Sequence, residues 1–169
     1  MKALILVFVL AGAARADTLF SVQVGFDVEH GNFGAVESST WQGMSVDVSA
    51  GRWLTDRVSL SAFIRARDTL GTQVGRHPTQ EGWLGIRGEV AATPLLLVGA
   101  GLAAIAMGRG FDDQDFSTSF GLYAEAHVGL VIAMETFAIE PVIELGHIDV
   151  GGRAPSGSVY GRVGVGLRW

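Results

Sequence analysis

Charged side chains and a histidine recur at every second position in several stretches of this sequence. Glu125 and His127 have the spacing of neighbours on one face of a β-strand, and a carboxylate beside an imidazole can transfer protons or support hydrolysis. The alternative is a structural role, in which buried acidic and basic groups pair with one another. We predict the structural role for the whole set, which comprises Asp27, Asp47, Arg65, Arg67, Arg87, Glu89, Glu125, His127, Glu140, Glu144, Arg162 and Arg168.

Three other groups of residues have side chains that could do chemistry. His147 is a candidate catalytic residue, and the alternative is a histidine at the depth of lipid headgroups. Carboxylate oxygens bind divalent cations, so Asp112, Asp113 and Asp115 are candidate metal ligands, although they lack the spacing and the glycine of an EF-hand loop. A solvated acidic loop is the preferred interpretation of these three residues. Arg76-His77 could contact lipid phosphates, but an exposed loop is again preferred.

The elements that position these residues are predicted to be β-strands, because apolar and polar residues alternate with a period of two. In the first run, Phe20, Val22 and Val24 lie on one face, and Ser21 and Gln23 lie on the other. The fifth run is apolar on both faces, and the proline of the seventh removes one backbone donor. The runs lie at 20–28, 44–51, 58–67, 83–90, 95–107, 120–130, 137–146 and 159–169.

The connections between these runs alternate in length. Short connections lie at 54–57, 91–94 and 132–136, and long polar connections lie at 29–40, 68–80, 108–119 and 149–157. Pairing about the first short connection would place Asp47 near Arg65, and pairing about the third would place Glu125 near Glu144. About eight strands of roughly ten residues, with alternating short and long connections, are typical of outer-membrane barrels.

A soluble barrel also alternates, but its apolar face points inward. Here the polar face is rich in serine and glycine, which suits the narrow interior that about eight strands enclose. We therefore predict an all-β fold, an eight-stranded antiparallel up-and-down transmembrane β-barrel with a polar, side-chain-filled lumen. Trp41, Trp53 and Trp169 fall at strand ends, where interfacial aromatic residues belong, and Trp83 is predicted to fill the lumen.

The first residues have the three parts of a secretory signal: Lys2, a short apolar run, and the small-residue site Ala14-Arg15-Ala16. We predict a cleaved signal peptide over 1–16 and an outer-membrane β-barrel over 17–169. The predicted mature chain keeps ten basic residues, all arginine, against 17 acidic residues, a formal net charge of −7. Without lysine it has no basic footprint for nucleic acid, and without cysteine it has no disulfide.

The last residues carry a resemblance. Arg162, Gly164, Leu167 and Trp169 match the positions of the terminal assembly signal of bacterial outer-membrane proteins: a polar residue, a glycine, a hydrophobic residue and a final aromatic. The whole chain resembles the opacity-protein and OmpA-like barrel superfamily in length, strand number and ending. The resemblance implies recognition by the outer-membrane insertion machinery. We expect export to the bacterial outer membrane, with outer-membrane lipids and lipopolysaccharide as further partners. One intact barrel has no free edge that would demand a partner, so we expect a monomer.

A second resemblance concerns Gly146-His147-Ile148-Asp149, which is similar to the end of the lipid A deacylase family. That family has a nucleophilic serine two residues after the histidine, where this sequence has Asp149. A carboxylate cannot replace the hydroxyl in a Ser–His mechanism. The sequence therefore favours a non-enzymatic surface, structural or adhesion-type protein that requires no cofactor. A lipid A-modifying enzyme and a soluble periplasmic ligand-binding barrel are the alternatives.

Overall fold

The computed structural model describes residues 18–31, 39–70, 79–111, 115–150 and 156–169. Alternating residues within these ranges form long strands, and no helix among them could cross a membrane. The strands are β1 (Thr18–Gly31), β2 (Ser39–Trp53), β3 (Val58–Leu70), β4 (Thr79–Thr93), β5 (Leu96–Phe111), β6 (Asp115–Leu130), β7 (Ile132–Ala133), β8 (Ala138–Val150) and β9 (Ser156–Arg168).

The strands form one closed antiparallel barrel. Each long strand pairs with the next along the chain, and β1 pairs with β9, so that no long strand has a free edge. The two-residue β7 extends the connection before β8, while β6 pairs directly with β8. Eight long strands therefore build the barrel wall, which confirms the predicted fold class.

The strands are longer than the predicted ten residues and reach 13 to 16 residues. They extend into all four stretches predicted as long connections. The β5–β6 ladder, for example, continues to the pair Phe111↔Asp115. Backbone hydrogen bonds continue there although the apolar–polar alternation has stopped, and the sequence prediction rested on that alternation. We call the end of the barrel with these connections the loop end, and the end with the connections at 54–57, 94–95 and 131–137 the turn end.

The two faces of the wall have opposite chemistry. Most aliphatic side chains of the strands point outward, and the exposed large ones range from 38% for Val28 to 69% for Phe120. Most acidic and basic side chains point inward and are buried, and the outward exceptions Arg52, Asp68 and Asp149 lie towards the ends of their strands. A soluble barrel with its apolar face inward would show the reverse, so that alternative is wrong for this structure. Phe20 departs from its run: it is buried because its ring packs 5.8 Å from that of Trp169.

The outward apolar band has the height of a membrane. On β2 the outward positions between Gln42 and Arg52 are Met44, Val46, Val48 and Ala50. At about 3.4 Å per residue and a strand tilt of about 40°, the spacing from Gln42 to Arg52 corresponds to about 26 Å along the barrel axis, close to the roughly 25 Å band of outer-membrane barrels. The predicted signal peptide lies outside the described residues.

Candidate functional site: the charged lumen

Arg65 is the centre of the lumen. Its backbone lies opposite Asp47 on β2, and its Nη2 donates to Oδ2 of Asp47 at 3.0 Å. Across the barrel, Nη1 donates to Oε1 of Glu144 at 2.5 Å and Nη2 donates to Oε2 at 2.8 Å. This paired geometry binds one guanidinium to one carboxylate and leaves little freedom for either. The predicted proximity of Asp47 and Arg65 is present, and the structure adds Glu144 as the principal partner.

Arg87 and Glu125 form the second pair of the centre. The Nε of Arg87 donates to Oε1 of Glu125 at 2.6 Å, and Nη2 donates to Oδ2 of Asp47 at 3.2 Å. Glu125 and Glu144 are not cross-strand partners, because Glu125 pairs with Gly146 and Glu144 pairs with His127. Arg65 nevertheless lies between the two carboxylates, with its Nη2 3.6 Å from Oε2 of Glu125. We call Asp47, Arg65, Arg87, Glu125 and Glu144 the central cluster.

A second cluster lies towards the turn end. Arg168 donates to both oxygens of Glu89, at 2.8 and 2.9 Å, and to both oxygens of Glu140, at 2.7 and 3.1 Å. His127 lies between this cluster and the centre, with Nε2 3.1 Å from Oε1 of Glu89. We call Glu89, Glu140 and Arg168 the turn-end cluster. One guanidinium between two carboxylates satisfies four acceptor atoms at once.

A third group of charges lies towards the loop end. Nη1 of Arg67 donates to Oε2 of Glu29 at 2.5 Å and to Oε2 of Glu81 at 3.3 Å. Ser158 donates to the other oxygen of Glu29 at 2.6 Å. Glu29 was predicted in a connection, and Glu81, just after another predicted connection, was likewise not assigned to the site. Glu29 lies two residues after Asp27 and Glu81 lies two residues before Trp83, and this alternate spacing was the signal that could have placed them on the strands.

Aromatic rings pack against the central cluster, with the guanidinium carbon of Arg65 5.0 Å from the ring centroid of Trp83. Trp83 lies 4.5 Å from the ring of Tyr123 and 5.3 Å from that of Tyr160, measured between centroids, and Phe63 is buried with them. The hydroxyl of Tyr160 donates to Asp27 at 2.5 Å, and that of Tyr123 donates to Glu144. The aromatic layer thus fills the lumen and supplies hydrogen bonds to it. The tyrosines were placed on the polar face by their spacing, but not in the predicted site.

Arg162 connects the centre with β1 and β2. Its Nε donates to Ser45 at 3.0 Å, and its Nη1 donates to Gln23 at 3.1 Å and to Glu144 at 3.4 Å. A Cβ at Gly25 would lie 2.3 Å from Nε of Arg162, so the side chain crosses β1 where a glycine leaves space. The structure therefore brings the whole predicted lumen set into three connected groups of buried charges.

Glu125 and His127, the candidate proton-transfer pair, lie in an environment that is unfavourable for a substrate. Nδ1 of His127 is 3.6 Å from Oε1 of Glu125, and the imidazole instead makes its hydrogen bond to Glu89. His127 is 3% exposed and Glu125 is 5% exposed. A general base must reach the proton that it removes. Both residues are buried among charged partners, and this arrangement can hold charge in place more readily than it can admit a reactant.

The other predicted site residues lie elsewhere. His147 and Asp149 point outward near the loop end, and the cross-strand partners of His147 are Ala124 and Val159, neither of which has a hydroxyl. Asp112 and Asp113 lie outside the described residues, as does Arg76-His77, and only the backbone of Asp115 is described. Among the described residues, no three acidic or histidine side chains are grouped to bind a metal ion.

The aromatic residues at the strand ends differ in placement. Trp83 is 1% exposed inside the lumen, as its spacing predicted. Trp53 and Trp169 are half-buried near the turn end, and only the backbone of Trp41 is described. Leu167 and Trp169 contribute to the closing ladder, in which the backbone groups of Trp169 exchange hydrogen bonds with those of Phe20. The role of these residues as an assembly signal stays a prediction.

Comparison with known proteins gives similarity in structure alone. No protein-family profile matches the sequence, and no curated protein matches it. Neisserial surface protein A (NspA) superimposes with a TM-score of 0.61 at 16% identity, over 88% of this chain and 95% of that one. Ail, the attachment invasion locus protein of Yersinia pestis, superimposes with a TM-score of 0.55 at 10% identity, over 90% of this chain and 99% of that one.

A second structure of Ail, in complex with the heparin analogue sucrose octasulfate, superimposes with a TM-score of 0.51 at 10% identity, over the same shares of the two chains. NspA and Ail are small outer-membrane proteins with eight-stranded barrels. At these identities the likeness concerns the path of the backbone and not the site residues. The closed wall, the outward apolar band and these superpositions show that this chain has the fold of the small eight-stranded outer-membrane β-barrels.

Proposed function

We propose that the chain is exported, becomes an integral protein of the bacterial outer membrane, and acts there through its loop end without catalysing a reaction. The observation that carries this proposal is the lumen itself. Eight carboxylates and five guanidinium groups of the described residues are buried there, each 7% exposed or less. An interior filled with paired charges leaves no route for a substrate or a solute, so activity belongs to the two ends of the barrel.

The loop end is the better candidate of the two. The connections at the turn end are short, whereas β5 and β6 continue as a paired hairpin to Phe111↔Asp115. Crossing a membrane requires about 9–11 residues in a tilted strand. Strands of 16 residues therefore leave several paired residues beyond the apolar band. This projecting part, with the segments 32–38, 71–78, 112–114 and 151–155, is the proposed contact surface with neighbouring lipopolysaccharide or an external partner.

Membrane location and orientation can be tested with single cysteines, because the chain contains none. Thr72→Cys tests the loop end and Thr55→Cys tests the turn end. A membrane-impermeant maleimide added to intact cells should label Thr72→Cys alone, and permeabilised cells should label both variants. The unheated protein should also migrate faster than the boiled protein in a cold detergent gel. Labelling of Thr55→Cys alone on intact cells, or recovery in the soluble periplasmic fraction, would overturn the proposal.

The adhesion-type role requires a separate test. The measurement is the adherence of bacteria to an epithelial cell layer. Bacteria that make the wild-type protein are compared with bacteria that make a variant in which glycine and serine replace segments 32–38 and 71–78. Equal amounts of both proteins in the outer membrane provide the control. Loss of adherence in the variant is the expected result. Equal adherence of both strains and of a strain without the protein would overturn the adhesion role and leave a structural one.

A further inference from the structure

We propose that His127 is a positively charged tie between the central cluster and the turn-end cluster, and that alkaline pH weakens the closed barrel by removing this charge. The proposal goes beyond the surface role, because it concerns how the lumen holds its charge. Its starting point is the position of the imidazole ring. His127 is on β6, and its ring extends over Gly99 of β5 towards Glu89 of β4.

Both ring nitrogens face carboxylate oxygens. Nε2 lies 3.1 Å from Oε1 of Glu89, and Nδ1 lies 3.6 Å from Oε1 of Glu125. A neutral imidazole has one N–H donor and one lone pair, so either tautomer would direct a lone pair at a carboxylate. An imidazolium has a donor on each nitrogen and is attracted to both carboxylates. The geometry therefore fits the charged form on both sides.

The two oxygens that face His127 are themselves held by arginines. Oε1 of Glu89 accepts from Nη2 of Arg168 at 2.8 Å, and Oε1 of Glu125 accepts from Nε of Arg87 at 2.6 Å. A guanidinium donor stabilises the ionised form of the carboxylate that accepts from it. A proton between His127 and either carboxylate is therefore more stable on the imidazole. This disfavours the arrangement in which a neutral histidine accepts from a protonated glutamate.

The remaining neighbours keep an excess of negative charge around the ring. β8 contributes Glu144, which is the cross-strand partner of His127, and Glu140. β9 contributes Arg168, β4 contributes Arg87 beside Glu89, and β5 faces the ring with Gly99. Over the described lumen, eight buried carboxylates face five arginines. A sixth positive charge reduces this excess, and buried charges without partners are costly.

The direction of the pH effect follows from these contacts. The charged histidine stabilises the folded barrel while it is protonated. As the pH rises and the imidazole loses its proton, Glu89 and Glu125 both lose the attraction of the positive charge, and one of the two then faces a repulsive lone pair instead of an N–H donor. The contacts between the two clusters then weaken, so stability that is present near neutral pH is lost at alkaline pH.

The direct test uses a barrel in which His30, His77 and His147 are changed to asparagine, so that His127 is the one histidine of the predicted mature chain. Nitrogen NMR of the 15N-labelled protein in detergent micelles distinguishes an imidazolium from either neutral tautomer. At about pH 7.5, where a free histidine is mostly neutral, both nitrogens should give the imidazolium pattern. A neutral tautomer at that pH would overturn the proposal.

A stability measurement tests the consequence and does not depend on labelled protein. The half-life of the folded band at fixed temperature is followed between about pH 7 and pH 10, for the wild type and for His127→Gln. The wild type should lose its folded band about tenfold faster at the alkaline end, as expected for one lost ionic interaction, and the variant should show no such dependence. Parallel loss in both proteins would overturn the proposal. A variant that does not fold leaves the NMR result decisive.

Discussion

Arg87 and Glu125 contact each other across an intervening strand, with 2.6 Å between Nε and Oε1. The residue between them is Gly101 of β5, which pairs with Arg87 on one side and with Glu125 on the other. Glu89, Gly99 and His127 repeat this arrangement one inward position closer to the turn end. The glycines let long charged side chains meet in a lumen that has no space for three side chains in one row.

The first prediction concerns this space. A Cβ at Gly101 would lie 2.9 Å from Oε1 of Glu125 and 3.0 Å from the carbonyl oxygen of Ile86, so Gly101→Val should separate Arg87 from Glu125. We expect a loss of roughly 3 kcal/mol in the free energy of unfolding, the size expected when one buried ion pair is broken. Urea unfolding of the barrel in lipid vesicles, followed by tryptophan fluorescence, measures it.

The matched control is Gly82→Val on the neighbouring strand. Gly82 points outward, and a Cβ there meets no atom within 4 Å. Its unfolding free energy should stay within about 0.5 kcal/mol of the wild type, as for surface substitutions away from special features. Equal losses in the two variants would show that valine disturbs the strand itself, and would contradict a specific role for the space at Gly101.

The second prediction concerns Arg65, which faces Asp47, Glu144 and Glu125. Arg65→Leu leaves these carboxylates without their shared cation and should cost about 3–5 kcal/mol of unfolding free energy. Arg65→Leu combined with Glu144→Leu should recover part of that loss, because one buried charge is removed with its partner. Arg52→Leu, at an exposed position, is the control. The absence of any recovery in the double variant would contradict a direct Arg65–Glu144 interaction.

The third prediction concerns the outward band. Ile64 is 63% exposed and lies between the polar outward residue Asp68 and the turn end of β3. In a bilayer, Ile64→Arg should cost about 2–4 kcal/mol, whereas Gln80→Arg near the edge of the band should cost about 0–1 kcal/mol. Both are measured by unfolding from vesicles. The difference should vanish if the outward face is surrounded by water.

The fourth prediction concerns His147. Its described cross-strand partners offer no hydroxyl nucleophile, so the proposed non-catalytic role predicts that lipid A has the same acyl chains with and without the protein. Mass spectrometry of extracted lipid A measures this. A strain whose lipid A loses an acyl chain when it makes the wild type, but not when it makes His147→Ala, would establish the enzyme alternative and contradict our proposal.

Much of this architecture could be predicted because a β-strand presents its side chains with a period of two. The alternation of Val22, Val24 and Phe26 with Gln23, Gly25 and Asp27 assigns each residue to a face without any knowledge of the fold. The polar face carries small residues and arginine rather than lysine. This composition favours a narrow interior over a solvated surface. The strand count and the lumen set follow from the same pattern.

The ends of the strands and the partners of each charge required the tertiary structure. Glu29 and Glu81 lie beyond the regular alternation, and backbone pairing with the neighbouring strand is what keeps them in the lumen. Arg65 could be matched to Asp47 by local pairing, but its bond to Glu144 connects residues 79 positions apart. Such contacts depend on barrel closure and strand register, which together determine the charges that meet inside, and local alternation carries no information about either.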